Sequence, residues 1–227
     1  MTSTFWQTLD RIGTIATIIA SAALVWLVAF RPAVQARDDG SEFSGSISAE
    51  LARSAATDGK PSADSAVIEF SDYFCPFCAR SASQLYPQIK KELVDSGKAK
   101  YMFINFPLQQ IHPHAVMAAK AAECAGEQRQ FWAMHERLFA NQKTLAMQDW
   151  KGHADALKLD LGQFDSCLQS TRTTDKINQQ IALGRQLDVR STPTFLIGTV
   201  QPDGSIKLKK KVEGAVPFDD VKRAVSD

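Results

Sequence analysis

Apolar and polar positions along the chain fall into short blocks with a strand or helix period. Ala66 to Phe70 is an apolar run carrying one acid, Glu69, and reads as a short buried strand. Lys98 to Phe106 reads as a second strand. Thr194–Val200 and Ser205–Val212 flank Pro202-Asp203-Gly204, which predicts strand, turn, strand. After Cys78 the spacing turns helical and stops at Gly97, and Pro87 should kink or break that run. Pro113 to about Val189 is almost all helical in pattern. Within it Phe131, Trp132, His135, Leu138 and Phe139 fall on one apolar face, which makes His135 a packed core residue. Gly126, Gly152 and Gly162 are expected to mark breaks between short helices, and Thr173–Leu187 makes a last long one. His112 and His114 flank Pro113 at a helix start, where surface capping is the expectation. Phe218 to Val225 is a closing helix.

The N-terminal part differs in kind. Ile12 to Phe30 is an uncharged, mostly apolar run, long enough as a helix to reach across a bilayer core. Residues 1–36 are therefore expected to be a membrane anchor. The competing reading is a signal sequence cut near Val34-Gln35-Ala36, and the run is long for that. Residues 37–60 are rich in Ser, Gly, Ala and charge and read as a linker, with a short helix over Ser48–Ala56 that Ser48 could cap. The folded domain is expected over 61–227, with its helical insertion at about 113–189.

Composition adds little and excludes something. The formal net charge is +1 on 227 residues, so nothing points to nucleic acid. Four cysteines permit two disulfides, which suits an oxidising compartment. Two of them form Cys75-Pro76-Phe77-Cys78, where the first strand gives way to a helix. There the unpaired N–H groups and partial positive charge of a helix N-terminus favour the Cys75 thiolate, and Pro76 suits a first-turn position. No second Cys or His pair completes a metal set, and Ala79 stands where covalent haem attachment needs His. Redox exchange is the chemistry left, with no cofactor beyond the Cys75–Cys78 pair itself. Cys124 and Cys167 both lie in helical segments that could stack. A structural disulfide is expected between them, and two buried free thiols are the alternative.

The motifs resemble a family. Val67-Ile68-Glu69-Phe70 through Cys78, Glu123-Cys124-Ala125 with Phe131-Trp132-Ala133-Met134-His135, and Ser191-Thr192-Pro193-Thr194-Phe195 are similar to the active-site strand, helical insertion and cis-proline loop of DsbA-like thiol-disulfide oxidoreductases of the bacterial membrane-anchored kind. The resemblance implies an α/β thioredoxin-like fold with an inserted helical subdomain, here behind one transmembrane helix. One departure matters. The best-known oxidases of this type have His between the cysteines, and here it is Phe77.

On that resemblance the roles follow. Cys75 is the exposed nucleophile and Cys78 its buried partner, Glu69 exchanges a proton with Cys78, and Pro193 in cis sets the Thr192 backbone beside the sulfurs. Thr192, Pro76 and Phe77 would meet an extended substrate. The implied activity is donation of disulfides to reduced, secreted proteins on the outer side of the cytoplasmic membrane. Reoxidation would come from a quinone-linked membrane protein of the DsbB or vitamin K epoxide reductase type. A reductase or isomerase kept reduced at the same site is the alternative, and a non-catalytic peptide-binding module is a third class.

Overall fold

The computed structural model describes residues 43–226, so the apolar run over Ile12–Phe30 lies outside the described residues. Among the described residues no helix is long and apolar enough to cross a membrane. Six strands make one sheet in the order β1 (Gly45–Ile47), β6 (Ile206–Glu213), β5 (Thr194–Val200), β3 (Ser65–Ser71), β4 (Ala99–Asn105), β2 (Ala56–Asp58). Only β3 and β4 run parallel; the other neighbours are antiparallel.

Both edge strands come from the segment expected to be a linker. This corrects the assignment of 37–60: β1 pairs with β6, β2 pairs with β4, and Ile47 is fully buried. Three-residue strands are too short to show a period, so polar composition hid them. Between them α1 (Ala49–Ser54) starts at Ser48, whose hydroxyl accepts from the Leu51 N–H.

The strand period of two divides β3 between two cores. Val67 and Glu69 point to one face. Val67 packs there with Tyr101, Phe103 and Phe195 against the helices over 76–94, the helical insertion and the closing helix. Ile68 and Phe70 point to the other, with Met102, Ile104, Leu196, Ile177 and Ile181. At full burial each such side chain contributes about 1.5–3 kcal/mol, which holds β3 at the centre of the sheet.

The helical rod after Cys75 does not break at Pro87. It runs through α2 (Pro76–Arg80), a π-helical turn (Ser81–Leu85), α3 (Tyr86–Ile89) and a second π-helical turn (Lys90–Val94). The Tyr86 N–H bonds the Ser81 carbonyl, so the ladder has already shifted one residue before Pro87. A ladder widened this way accommodates a ring that would crowd an α-helical turn. Gly97, at φ 78°, then turns the chain into β4.

The insertion comprises α4 (Ala115–Glu127), α5 (Phe131–Ala140), a 3-10 turn (Gln142–Met147), α6 (Trp150–Ala156), α7 (Leu161–Gln169) and α8 (Thr171–Gln186). Gly126, Gly152 and Gly162 lie inside helices, not between them. The breaks fall at Arg129, Gln148 and Lys158, all with positive φ, so side chains that rarely adopt this backbone end the helices. A disulfide joins Cys124 of α4 to Cys167 of α7. Helix α8 lies close against the sheet at Gly184, where a Cβ would stand 2.5 Å from the Phe106 ring. Helix α9 (Phe218–Ser226) covers β3 and β5.

Candidate active site

Adjacent strands bring the site together. The C-terminal end of β3 leads to Cys75, and beside it β5 begins at Thr194, paired with Phe70. The Thr192–Pro193 peptide just before β5 is cis. The Thr192 carbonyl stands 3.3 Å from Cys75 Sγ, which donates to it. Cys75 is the N-cap of α2 in extended backbone, with Pro76 in the first turn. Its N–H bonds the Asp72 carbonyl, and its own carbonyl takes the Ala79 N–H.

Cys75 and Cys78 are both free thiols. Cys75 was expected to be exposed, yet only 4% of its surface is accessible, because its sulfur lies under the Thr192 loop. The exposed members of the motif are Pro76 and Phe77, and the Arg80 guanidinium sits 5.4 Å from the Phe77 ring centre.

The two thiols are driven apart in acidity. The Cys78 thiol beside it holds the Cys75 pKa well below that of an ordinary thiol. Burial opposes this, while the Thr192 hydroxyl and the N–H groups of Cys78 and Phe77 add to it. Burial pushes Cys78 the other way, well up, and the neighbouring Cys75 and the Glu69 charge reinforce it. The Asp72 N–H donates to Cys78 Sγ at 3.5 Å.

Glu69 is buried beneath the motif. Burial raises its pKa to about 7, against the Tyr101, Ser71 and Ser81 hydroxyls, which favour the charged form. The Tyr101 hydroxyl donates to Oε2 at 2.5 Å and the Ser81 hydroxyl at 3.0 Å. A carboxyl with a pKa near neutrality, in electrostatic contact with the buried thiol, can take or return a proton at physiological pH.

Other residues of the site escape sequence reasoning. The buried Asp72 carboxylate accepts from the Phe74 and Leu108 N–H groups, each at 2.7 Å, and its Oδ2 lies 2.9 Å from His112 Nδ1. His112, expected as a surface cap, is instead tied to the active-site turn. Gln142 Nε2 donates to the Tyr73 and Cys75 carbonyls at 2.8 and 2.9 Å, clamping the turn to the insertion. His135 is buried among Phe103, Trp132 and Phe139, as its helical spacing indicated, and burial lowers its pKa to about 3. Among the described residues no group of His, Cys, Asp or Glu is placed to hold a metal ion.

Comparison with known proteins agrees with this architecture. BdbD of Bacillus subtilis, in its oxidised form, superposes with a TM-score of 0.66 at 23% identity, covering 82% of this chain and 96% of that one. The alpha-DsbA1 protein of Wolbachia pipientis gives 0.64 at 22% identity over 76% and 89%. At such identities the likeness is one of fold. Among curated proteins, a probable disulfide bond formation protein D of Bacillus anthracis is 28% identical over 68% of this chain and 75% of its own length. A Na(+)/H(+) antiporter NhaA 3 of Salinispora tropica is 36% identical over 63% of this chain. The match spans only 21% of that antiporter's length. The family model described as thioredoxin matches residues 53–216. A match of that length, over the residues that build both the sheet and the cysteine turn, places the chain in the thioredoxin family.

Proposed function

We propose that the protein is a thiol-disulfide oxidoreductase that donates the Cys75–Cys78 disulfide to reduced proteins outside the cytoplasm. The observation that carries this reading is the Cys75–Cys78 pair at a helix N-terminus, with Cys75 Sγ against the Thr192 carbonyl and the buried Glu69 carboxyl beneath, a setting that drives the two thiols apart in acidity. A substrate thiolate attacks Cys75 Sγ of the oxidised enzyme. Cys78 leaves as the partner sulfur and takes a proton, and a second substrate thiolate releases Cys75 as a stable thiolate. A dithiol whose reduced form is stabilised this way has a disulfide that draws electrons from others. The Thr192 backbone beside the cysteines, with Phe77 and Pro76 exposed around them, forms the surface for an extended substrate.

Location and partners belong to the same proposal. The Cys124–Cys167 disulfide suits an oxidising compartment. An anchor over Ile12–Phe30 would hold the domain at the membrane, beside a quinone-linked partner of the DsbB or vitamin K epoxide reductase type that reoxidises it. The ion transport named for the antiporter relatives is not the activity argued for this chain, since the match covers only 21% of that protein.

The test is equilibration of the protein with glutathione buffers, followed by oxidative refolding of a reduced substrate. A potential above thioredoxin's, about −270 mV, with faster refolding is the expected result. Because Phe77 adds no charge to the thiolate, the potential should stay below the roughly −120 mV of the strongest oxidases. A value at or below thioredoxin's, with no acceleration of refolding, makes the protein a reductase instead.

A further inference from the structure

We propose that Ser71 is the proton relay between Cys78 and Glu69. Ser71 is the last residue of β3, two after Glu69, so both side chains lie on the same face of the sheet, beneath the cysteine turn. It is 1% exposed, and its hydroxyl has no hydrogen-bond partner. A buried unpartnered hydroxyl costs stability and calls for an explanation, of which a role in redox or catalytic chemistry is one. The next residue along, Asp72, points its N–H at Cys78 Sγ, which brings the Ser71–Asp72 backbone up to that sulfur. The hydroxyl is near enough to both groups to favour the charged form of each, and a turn about its Cα–Cβ bond is what would bring it into hydrogen-bond geometry with them. Tyr101 and Ser81 both donate to Glu69 Oε2 and so anchor the carboxyl while the proton moves.

The relay matters whenever Cys78 gains or loses its proton. With oxidised glutathione as the oxidant, the Cys75 thiolate first forms a mixed disulfide and releases one glutathione thiolate. The Cys78 thiol then passes its proton to Ser71 Oγ as the Ser71 O–H proton passes to the Glu69 carboxylate. The Cys78 thiolate attacks Cys75 Sγ, closes the Cys75–Cys78 bond and expels the second glutathione thiolate. Two thiols are oxidised and one disulfide is reduced, with the Cys78 proton left on Glu69. In disulfide donation the same proton travels back to the departing Cys78.

The relay rests on the reading of Cys75–Cys78 as an exchange site, and the experiment separates the two. Reduced protein is mixed with oxidised glutathione, quenched in acid and weighed by mass spectrometry, which resolves mixed-disulfide formation from ring closure. Wild-type protein that gains neither the mixed disulfide nor the Cys75–Cys78 bond overturns the exchange reading, and the relay with it. Ser71→Ala should leave mixed-disulfide formation and Cys75 alkylation unchanged but slow closure about tenfold or more near neutral pH. The inflection in closure rate near the Glu69 pKa should also disappear. In a Glu69→Gln background, Ser71→Ala should slow closure no further, because the two residues act in one path. The relay is wrong if Ser71→Ala closes at the wild-type rate, if it slows both steps equally, or if its effect multiplies with that of Glu69→Gln.

Discussion

Replacing Glu69 with Gln should remove a specific pH dependence from the stability of the protein. Burial raises the folded pKa from 4.5 to about 7. Below pH 4.5 the carboxyl is protonated in both folded and unfolded chains, and its ionisation costs nothing. Between pH 4.5 and 7 the unfolded chain ionises while the folded one stays protonated, so stability falls as pH rises. Above about pH 7 both are ionised and the loss is complete, at about 3 kcal/mol for a shift of this size. Gln keeps the carbonyl that Ser81 and Tyr101 donate to and cannot ionise. The measurement is urea denaturation of the oxidised protein and its variant across about pH 4.5 to 8. With both cysteine pairs closed no thiol titrates, and Glu69 loses only its smallest upward influence, the Cys75 charge. His135 and His153 titrate alike in both proteins and drop out of the difference. The stability difference, Gln variant minus wild type, should grow by about 3 kcal/mol from pH 4.5 to 7 and then level off. A difference that stays flat across that range would mean that Glu69 titrates alike in the folded and unfolded chains. The account of it as a proton acceptor near pH 7 would go with it.

Two further outcomes test other parts of the fold. His135→Phe should remove an opposite slope: the folded pKa lies at about 3 against 6.5 unfolded, so the stability that neutral His135 contributes is present above pH 6.5 and lost as pH falls. The variant should gain about 3 kcal/mol on the wild type between pH 7 and 4.5 in the same urea titration, and an equal change at every pH would count against it. Opening the Cys124–Cys167 loop, whose ends are 43 residues apart, by the double Cys124→Ser, Cys167→Ser change should cost about 4 kcal/mol in the chain-entropy model. The alkylation rate of Cys75 should stay as it was. An unmoved urea midpoint would show that the loop contributes nothing.

Much of this site is legible in local sequence, because its centre is a strand running into a helix with cysteines at the junction. Cys75, Cys78 and Glu69 lie close together in the chain, and their strand and helix are set by an apolar run and by Pro76. The supports were not legible. Ser81 and Tyr101 reach Glu69 from 12 and 32 residues away, Gln142 reaches the Cys75 carbonyl from 67, and His112 reaches Asp72 from 40. Nothing in residue type distinguishes a serine or glutamine that meets such a partner from one that meets water. The edge strands were missed for another reason. Each has three residues, and pairing to β6 and β4 decides their conformation where propensity does not.

Phe77 shows where the local reading was incomplete. Without His between the cysteines, a charge-based account leaves the Cys75 thiolate short of support. The structure supplies that support from polar groups placed around the sulfur: the Cys78 thiol first, then the Thr192 hydroxyl and the helix N–H groups. The Thr192 hydroxyl is itself buried without a partner, so it is free to turn to Cys75 when the sulfur ionises. Ser71 stands in the same position towards Cys78 and Glu69. Two buried hydroxyls, each unpartnered in the resting thiol, thus bracket the cysteine pair, one on the side of the nucleophile and one on the side of its partner. A site built this way draws its polarity from donors that are idle until charge appears. Such donors need little reorganisation when it does.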